Sequence, residues 1–276
     1  MPDWAGLRVK TRQTIVAHGL CMEERELLGR VVGAGADVLF CATSDDVRRT
    51  LETRSVTGLL WRARSQPVGD IVAALRHAQE RAPDAWTLLR ADLTAGAASV
   101  ICQVASMIRE TALVSLCGFD DLGRDIGRVI AGSPTDGALT ILSSITPPLV
   151  AREREIVVAA ALLGRRRRYV RDLAVACRRS IVALERQLRN AGLEPPENIL
   201  GRAISLHGAW RIEVLSQQVK QAAADMGFGS PQAFSNYIMR HTGMRPRTLA
   251  EMGTFSGLLA RFAESLRGSA ERACEN

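Results

Sequence analysis

Lysine is almost missing from this chain. Lys10 and Lys220 are the only two, and arginine supplies the rest of the 36 basic residues. Such a bias points to a GC-rich genome rather than to a mechanism. Long apolar runs are missing too. No stretch approaches the ~20 residues of a membrane-spanning helix, and the opening run MPDWAGLRVKTRQ has no signal-peptide core. The expectation is a soluble, cytoplasmic protein with no membrane partner. The six cysteines, at 21, 41, 102, 117, 177 and 274, form no CxxC pair and no metal-ligand spacing. Buried or free thiols in a reducing cytosol fit them, and a metal site does not. A catalytic constellation is also missing. His18 ends an apolar run, but no serine elbow, second histidine or carboxylate partner accompanies it. Gly29, Gly33 and Gly35 follow a helix and precede a strand, the reverse of a dinucleotide-binding fingerprint. No enzyme activity and no cofactor are expected.

What is present suffices for real cores: 276 residues, 47% hydrophobic and 24% charged, enough for about two domains. Charge divides them unevenly. Residues 151–276 carry 20 Lys+Arg against 12 Asp+Glu, a net of +8, whereas residues 1–150 carry a net of −1. A near-neutral half joined to a basic half suits a regulatory domain attached to a polyanion-binding one.

In the first half, apolar runs alternate with helix-length segments. TIVAH (14–18), DVLFCA (37–42), GLLWRA (58–63), AWTLLRA (85–91) and TALVSLCG (111–118) read as strands. Helices are expected near 21–33, 45–53, 67–81, 95–109 and 120–132, the last capped by Asp120 or Asp121. Trp61 and Trp86 read as packing residues. Five β-α units imply an α/β domain over residues 1–132, with a parallel five-stranded sheet covered by helices in a flavodoxin-like arrangement. This layout resembles a response-regulator receiver, but its chemistry is missing. Receivers hold Mg²⁺ with acidic residues after the first strand and an acceptor Asp at the end of the third. Here those strands end in His18-Gly19 and Trp61-Arg62, and Arg62 would repel a cation. The resemblance therefore implies a degenerate receiver, not phosphorylated on Asp, that receives a small-molecule or protein signal or forms a homodimer.

Residues 133–148 read as a linker with an apolar, β-prone centre, ALTILSS, that docks on a domain. A helix follows over 149–163, with Ile156, Val157, Ala160 and Leu163 on its buried side. Next come four arginines, 165–168, of which Arg166 and Arg167 are candidates to clamp phosphates. In VRDLAVACRRSIVALERQLRN (170–190), Val170, Leu173, Ala174 and Cys177 supply one helix face. Ser180 caps a second helix with Leu184 and Leu188 buried. Val182, Glu185, Arg186 and Arg189 lie on its exposed side, and Val182, Arg186 and Arg189 are candidate DNA contacts. A helix from Pro195-Pro196 to about Leu215 carries a core stripe of Ile199, Ala203, Leu206 and Trp210, with His207 beside it in a structural role. Its length, about 27–30 Å, is near the ~34 Å between successive major grooves on one face of B-DNA. From Thr254 an amphipathic helix runs to a frayed end.

The most informative stretch is VKQAAADMGFGSPQAFSNYIMRHTGMRP (219–246). Val219, Ala222, Ala223 and Met226 form a helical stripe. Gly227 suits the left-handed end of that helix, and Phe228 is placed to plug the angle to the next. Ser230 is an N-cap and a candidate DNA contact, and Pro231 suits the first helical position. Ala233, Phe234, Tyr237 and Ile238 face inward. Gln232, Ser235, Asn236, Met239 and Arg240 face outward, with amide, hydroxyl and guanidinium groups that suit base edges and phosphates. Gly243 and Pro246 close the unit.

The run GF-x-SP-x-AFSNYI-x-RHTGM-x-P resembles the second helix-turn-helix of AraC/XylS-type transcription regulators. Ile238 stands where that family has Phe, and Arg245 where it has Ser. The string S-x-x-x-L-x-R-x-L from Ser180 resembles the first head, with Arg178 and Arg179 replacing its turn glycine and apolar plug. The resemblance implies an all-α double helix-turn-helix over residues 149–276 that binds double-stranded DNA, with the long helix between its heads. An interaction module that has lost specific readout is the alternative.

Overall fold

The computed structural model describes residues 13–33, 36–63, 68–107, 112–116, 137–144, 151–246 and 255–274, together with 122–123, 125–126 and 248. Its N-terminal part is an α/β unit and the remainder is helical. Strands β1 (Gln13–His18), β2 (Ala36–Cys41), β3 (Gly58–Ala63), β4 (Trp86–Ala91) and β5 (Ala112–Leu116) pair in parallel in the order β2-β1-β3-β4-β5. Helices α1 (Met22–Val32), α2 (Ser44–Thr53), α3 (Val68–Arg81) and α4 (Ala95–Met107) connect them. Near-continuous apolar runs form these strands because the sheet is covered on both faces, and every residue of β4 is buried. Local signals set the helix starts. Thr43 Oγ1 accepts the Asp46 amide at 3.1 Å, and the Asp46 carboxylate accepts the Thr43 amide at 3.0 Å. The expected helix near 120–132 and its Asp120-Asp121 cap lie largely outside the described residues, as does the frayed C-terminal end.

The segment ALTILSS is not extended. It belongs to helix α5 (Gly137–Ser144), with Ala138, Ile141 and Leu142 buried. Their i, i+3, i+4 spacing suits a helix wedged between neighbours, so tertiary burial overrides the β propensity of Thr and Ile. Gly137 is needed there, since a Cβ would come within 2.8 Å of the Trp210 ring.

Helix α6 (Ala151–Leu163) is buried on all sides from Glu155 to Leu163, beyond the single face expected. It packs against α4 and β5 on one side and against α7 (Val170–Ala176) and α9 (Pro196–Glu213) on the other. Helix α9 is likewise buried almost all round, because α5, α6, α7, α8 (Ile181–Asn190), α10 (Val219–Asp225), α11 (Pro231–Thr242) and α12 (Phe255–Cys274) all touch it. One apolar core therefore runs from Leu59, Trp61 and Leu89 on the sheet through Ile101 and Ala160 to Leu206 and Phe234. A smaller core, with Ile15, Leu28, Leu60 and Leu88, covers the opposite sheet face.

Candidate nucleic-acid interface and the sheet edge

The pairs α7–α8 and α10–α11 share one turn. In the first, Cys177, Arg178 and Arg179 donate their amides to the carbonyls of Leu173, Val175 and Ala174, at 3.0, 3.0 and 2.9 Å. In the second, Met226, Gly227 and Phe228 donate to Ala222, Ala224 and Ala223 at 3.0, 3.0 and 2.9 Å. Arg178 and Gly227 occupy the left-handed position, with φ of 52° and 76°. After each turn a serine caps the next helix: Ser180 Oγ accepts the Ala183 amide at 3.2 Å, and Ser230 Oγ accepts that of Ala233 at 3.1 Å. Leu184 and Leu188 are buried in α8 as Phe234 and Ile238 are in α11. Counting from the caps, Val182 and Arg186 stand where Gln232 and Asn236 stand.

On α11, Gln232, Asn236, Met239 and Arg240 are exposed as expected. Gln232 Nε2 donates to Asn236 Oδ1 at 2.9 Å, so the two amides form one unit. Ser235 is half-buried and its hydroxyl donates to the Pro231 carbonyl at 2.8 Å, which leaves its oxygen as an acceptor. Arg240 pairs loosely with Glu197 at 3.5 Å. Ala233, expected to face inward, is exposed. Phe228 does plug the turn, edge-on to Phe234 and Tyr237 with centroids 5.2 and 5.4 Å away. Burial pushes the Tyr237 hydroxyl up to about 12, so it stays protonated. On α8, Val182, Arg186 and Arg189 are exposed.

The arginine run divides. Arg165 turns inward, donating to the Val114 carbonyl and lying 3.8 Å from Asp125, so it belongs to the sheet edge and does not clamp phosphate. Arg166 is half-buried. The Arg167 amide donates to the Met226 carbonyl at 2.7 Å, and its guanidinium lies over the rings of Tyr169 and Phe228. It thus ties the start of the first pair to the turn of the second.

At the carboxyl edge of the sheet, Glu24 accepts the Cys21 amide at 3.0 Å, capping α1, and pairs with Arg62 at 2.7 Å and Arg90 at 3.3 Å. Burial would raise its carboxyl, but the Cys21 and Arg62 contacts outweigh burial and hold it below its usual range. Asp92 then bridges Arg62 at 3.6 Å and Arg178 at 3.5 Å. Arg179 reaches Glu155 at 3.0 Å and also donates to Gln187. The sequence marks Arg62, but its partners Glu24 and Asp92 carry no local signal. His18 is buried, its Nδ1 is 3.0 Å from the Cys41 carbonyl, and its ring lies 4.5 Å from that of Trp61. His207 Nε2 lies 2.7 Å from the Ala161 carbonyl, in the structural role expected.

Among the described residues no group of three His, Cys, Asp or Glu could hold a metal, and no helix is long and apolar enough to cross a membrane. Cys41 and Cys177 are buried free thiols, and burial pushes Cys177 up to about 12, which disfavours the thiolate. Comparisons with protein-family models, with curated proteins and with solved structures find no match for this chain.

Proposed function

We propose that this protein is a transcription regulator that binds specific double-stranded DNA through two helix-turn-helix heads, α7–α8 and α10–α11, set on either side of α9. The observation that carries the reading is the repeated turn. The same amide pattern, left-handed residue, serine cap and buried pair occur twice, and each second helix keeps polar or basic side chains exposed. In this reading α8 and α11 enter successive major grooves, Gln232, Ser235, Asn236 and Met239 read bases, and Arg186, Arg189 and Arg240 supply charge toward phosphates and bases. The strand order β2-β1-β3-β4-β5 is that of flavodoxin-like folds, which supports a receiver-like N-terminal domain. Two arginines around Glu24 at its carboxyl edge support signalling without Asp phosphorylation.

Selection from random duplex DNA on the full-length protein, repeated with Asn236→Ala, tests this. An enriched motif that weakens or changes in the variant is the expected result. The second reading, an interaction module without base readout, is favoured by one feature: Arg178 and Arg179 point to Asp92 and Glu155, within the protein. Salt-sensitive binding with no enriched motif would select it.

A further inference from the structure

The repeated turn allows the two heads to be compared position by position, and their exposed faces differ in chemistry. Two residues past the cap, α11 presents the amide of Gln232, whereas α8 presents the isopropyl group of Val182, which is 72% exposed. Six residues past the cap, Asn236 is matched by Arg186, also exposed. An exposed valine at this place has no core to serve, since Leu184 and Leu188 supply the buried side of α8.

We propose that the first head reads a thymine methyl group through Val182 and a neighbouring guanine through Arg186, while the second head reads adenine through the Gln232–Asn236 amide unit. The inference rests on the DNA-binding reading above and extends it to base identity. In the major groove, thymine alone presents a C5-methyl, which an aliphatic side chain covers without needing a hydrogen bond. Guanine presents O6 and N7, both acceptors, which match the forked donors of a guanidinium. Adenine presents a donor and an acceptor, the pairing that a carboxamide unit matches. The bond between the two amides leaves the Gln232 Oε1 acceptor and the Asn236 NH₂ donor unused by the pair. The two half-sites should therefore differ in composition, and the site should not be a simple repeat.

The test uses the motif enriched by the full-length protein. Each thymine is replaced in turn by deoxyuridine, which removes only the methyl, and affinity is read by fluorescence anisotropy. One position should lose about fourfold, the value of one buried methyl group. That loss should vanish in Val182→Ala, and Val182→Gln should shift the preferred base there toward adenine. Thermal melts by circular dichroism that match the unsubstituted protein check that both variants fold. Indifference to deoxyuridine at every position, or an undiminished loss in Val182→Ala, overturns the assignment while leaving DNA binding intact. An absence of any enriched motif overturns the underlying reading and this inference with it.

Discussion

Arg178 holds the left-handed backbone position in the first turn that Gly227 holds in the second, at φ 52° against 76°. A side chain there costs ~1–2 kcal/mol through contact of Cβ with the backbone. The exposed Asp92 contact returns at most about 1 kcal/mol. Arg178→Gly should therefore leave stability unchanged or raise it by up to about 2 kcal/mol. Arg178→Ala keeps the strain, loses the ion pair and should be the less stable of the two. Urea midpoints of both variants decide this, and a glycine variant less stable than the alanine variant contradicts the strain argument.

Gln232 and Asn236 are bonded to each other, and in the proposed reading they act on a base as a pair. Replacing either with Ala releases the other amide as well, so the double substitution should cost less than the two single costs added. A double-mutant cycle on the selected site should give a coupling of roughly 0.5–3 kcal/mol. Additive costs would mean that the 2.9 Å bond does not persist on DNA.

Gly201 lets α9 and α11 approach. A Cβ at this position would meet the His241 ring 2.2 Å away. Gly201→Ala should destabilise by about 1–3 kcal/mol, the usual cost of overpacking. Removing the ring in Gly201→Ala/His241→Ala should recover part of the loss by denaturant titration.

His241 also predicts a pH dependence. Burial first, then the charge of Arg240, hold its imidazole below the ordinary 6.5, with Glu197 opposing. The unfolded chain thus binds the proton more readily than the folded one. As pH falls through 6.5 toward the lowered value, stability should fall; below that value this contribution is constant. His241→Gln should flatten the Tm profile between pH 7.5 and 5.5, a range chosen to be about one unit either side of the ordinary value.

Glu155 separates hydrogen bonding from charge. Burial raises its carboxyl above the usual range, although Arg179 and Arg178 pull it down. Glu155→Gln retains an acceptor for Arg179 and should cost under about 1 kcal/mol. Glu155→Ala leaves a mostly buried guanidinium with Gln187 but no counter-charge, and should cost about 2–3 kcal/mol, below the ~3–5 of a fully buried pair. Equal chemical-denaturation midpoints for the two variants would refute the distinction.

Much of the local structure could be read from neighbouring residues. Ser230 and Pro231 start α11, Gly227 ends α10, and the period-3.6 stripe of Ala222, Ala223 and Met226 faces inward because helix geometry requires it. The parallel strands were recognisable as apolar runs between helices. ALTILSS was not: its composition favours a strand, and only the helices packed around it make a helix the better way to bury Ile141 and Leu142.

What the sequence determined by itself is the set of short-range features: caps, turns, helix faces and the uneven charge of the two halves. The tertiary structure decided where the arginines go. Arg165 finds the Val114 carbonyl 51 residues away, and Arg178 finds Asp92 across 86 residues. Arg167 stays at the surface between two rings. Identical side chains in one run thus take structural and surface roles. A guanidinium's role depends on which acceptors surround it, and those acceptors are assembled only when α6 packs between the sheet and the helical half.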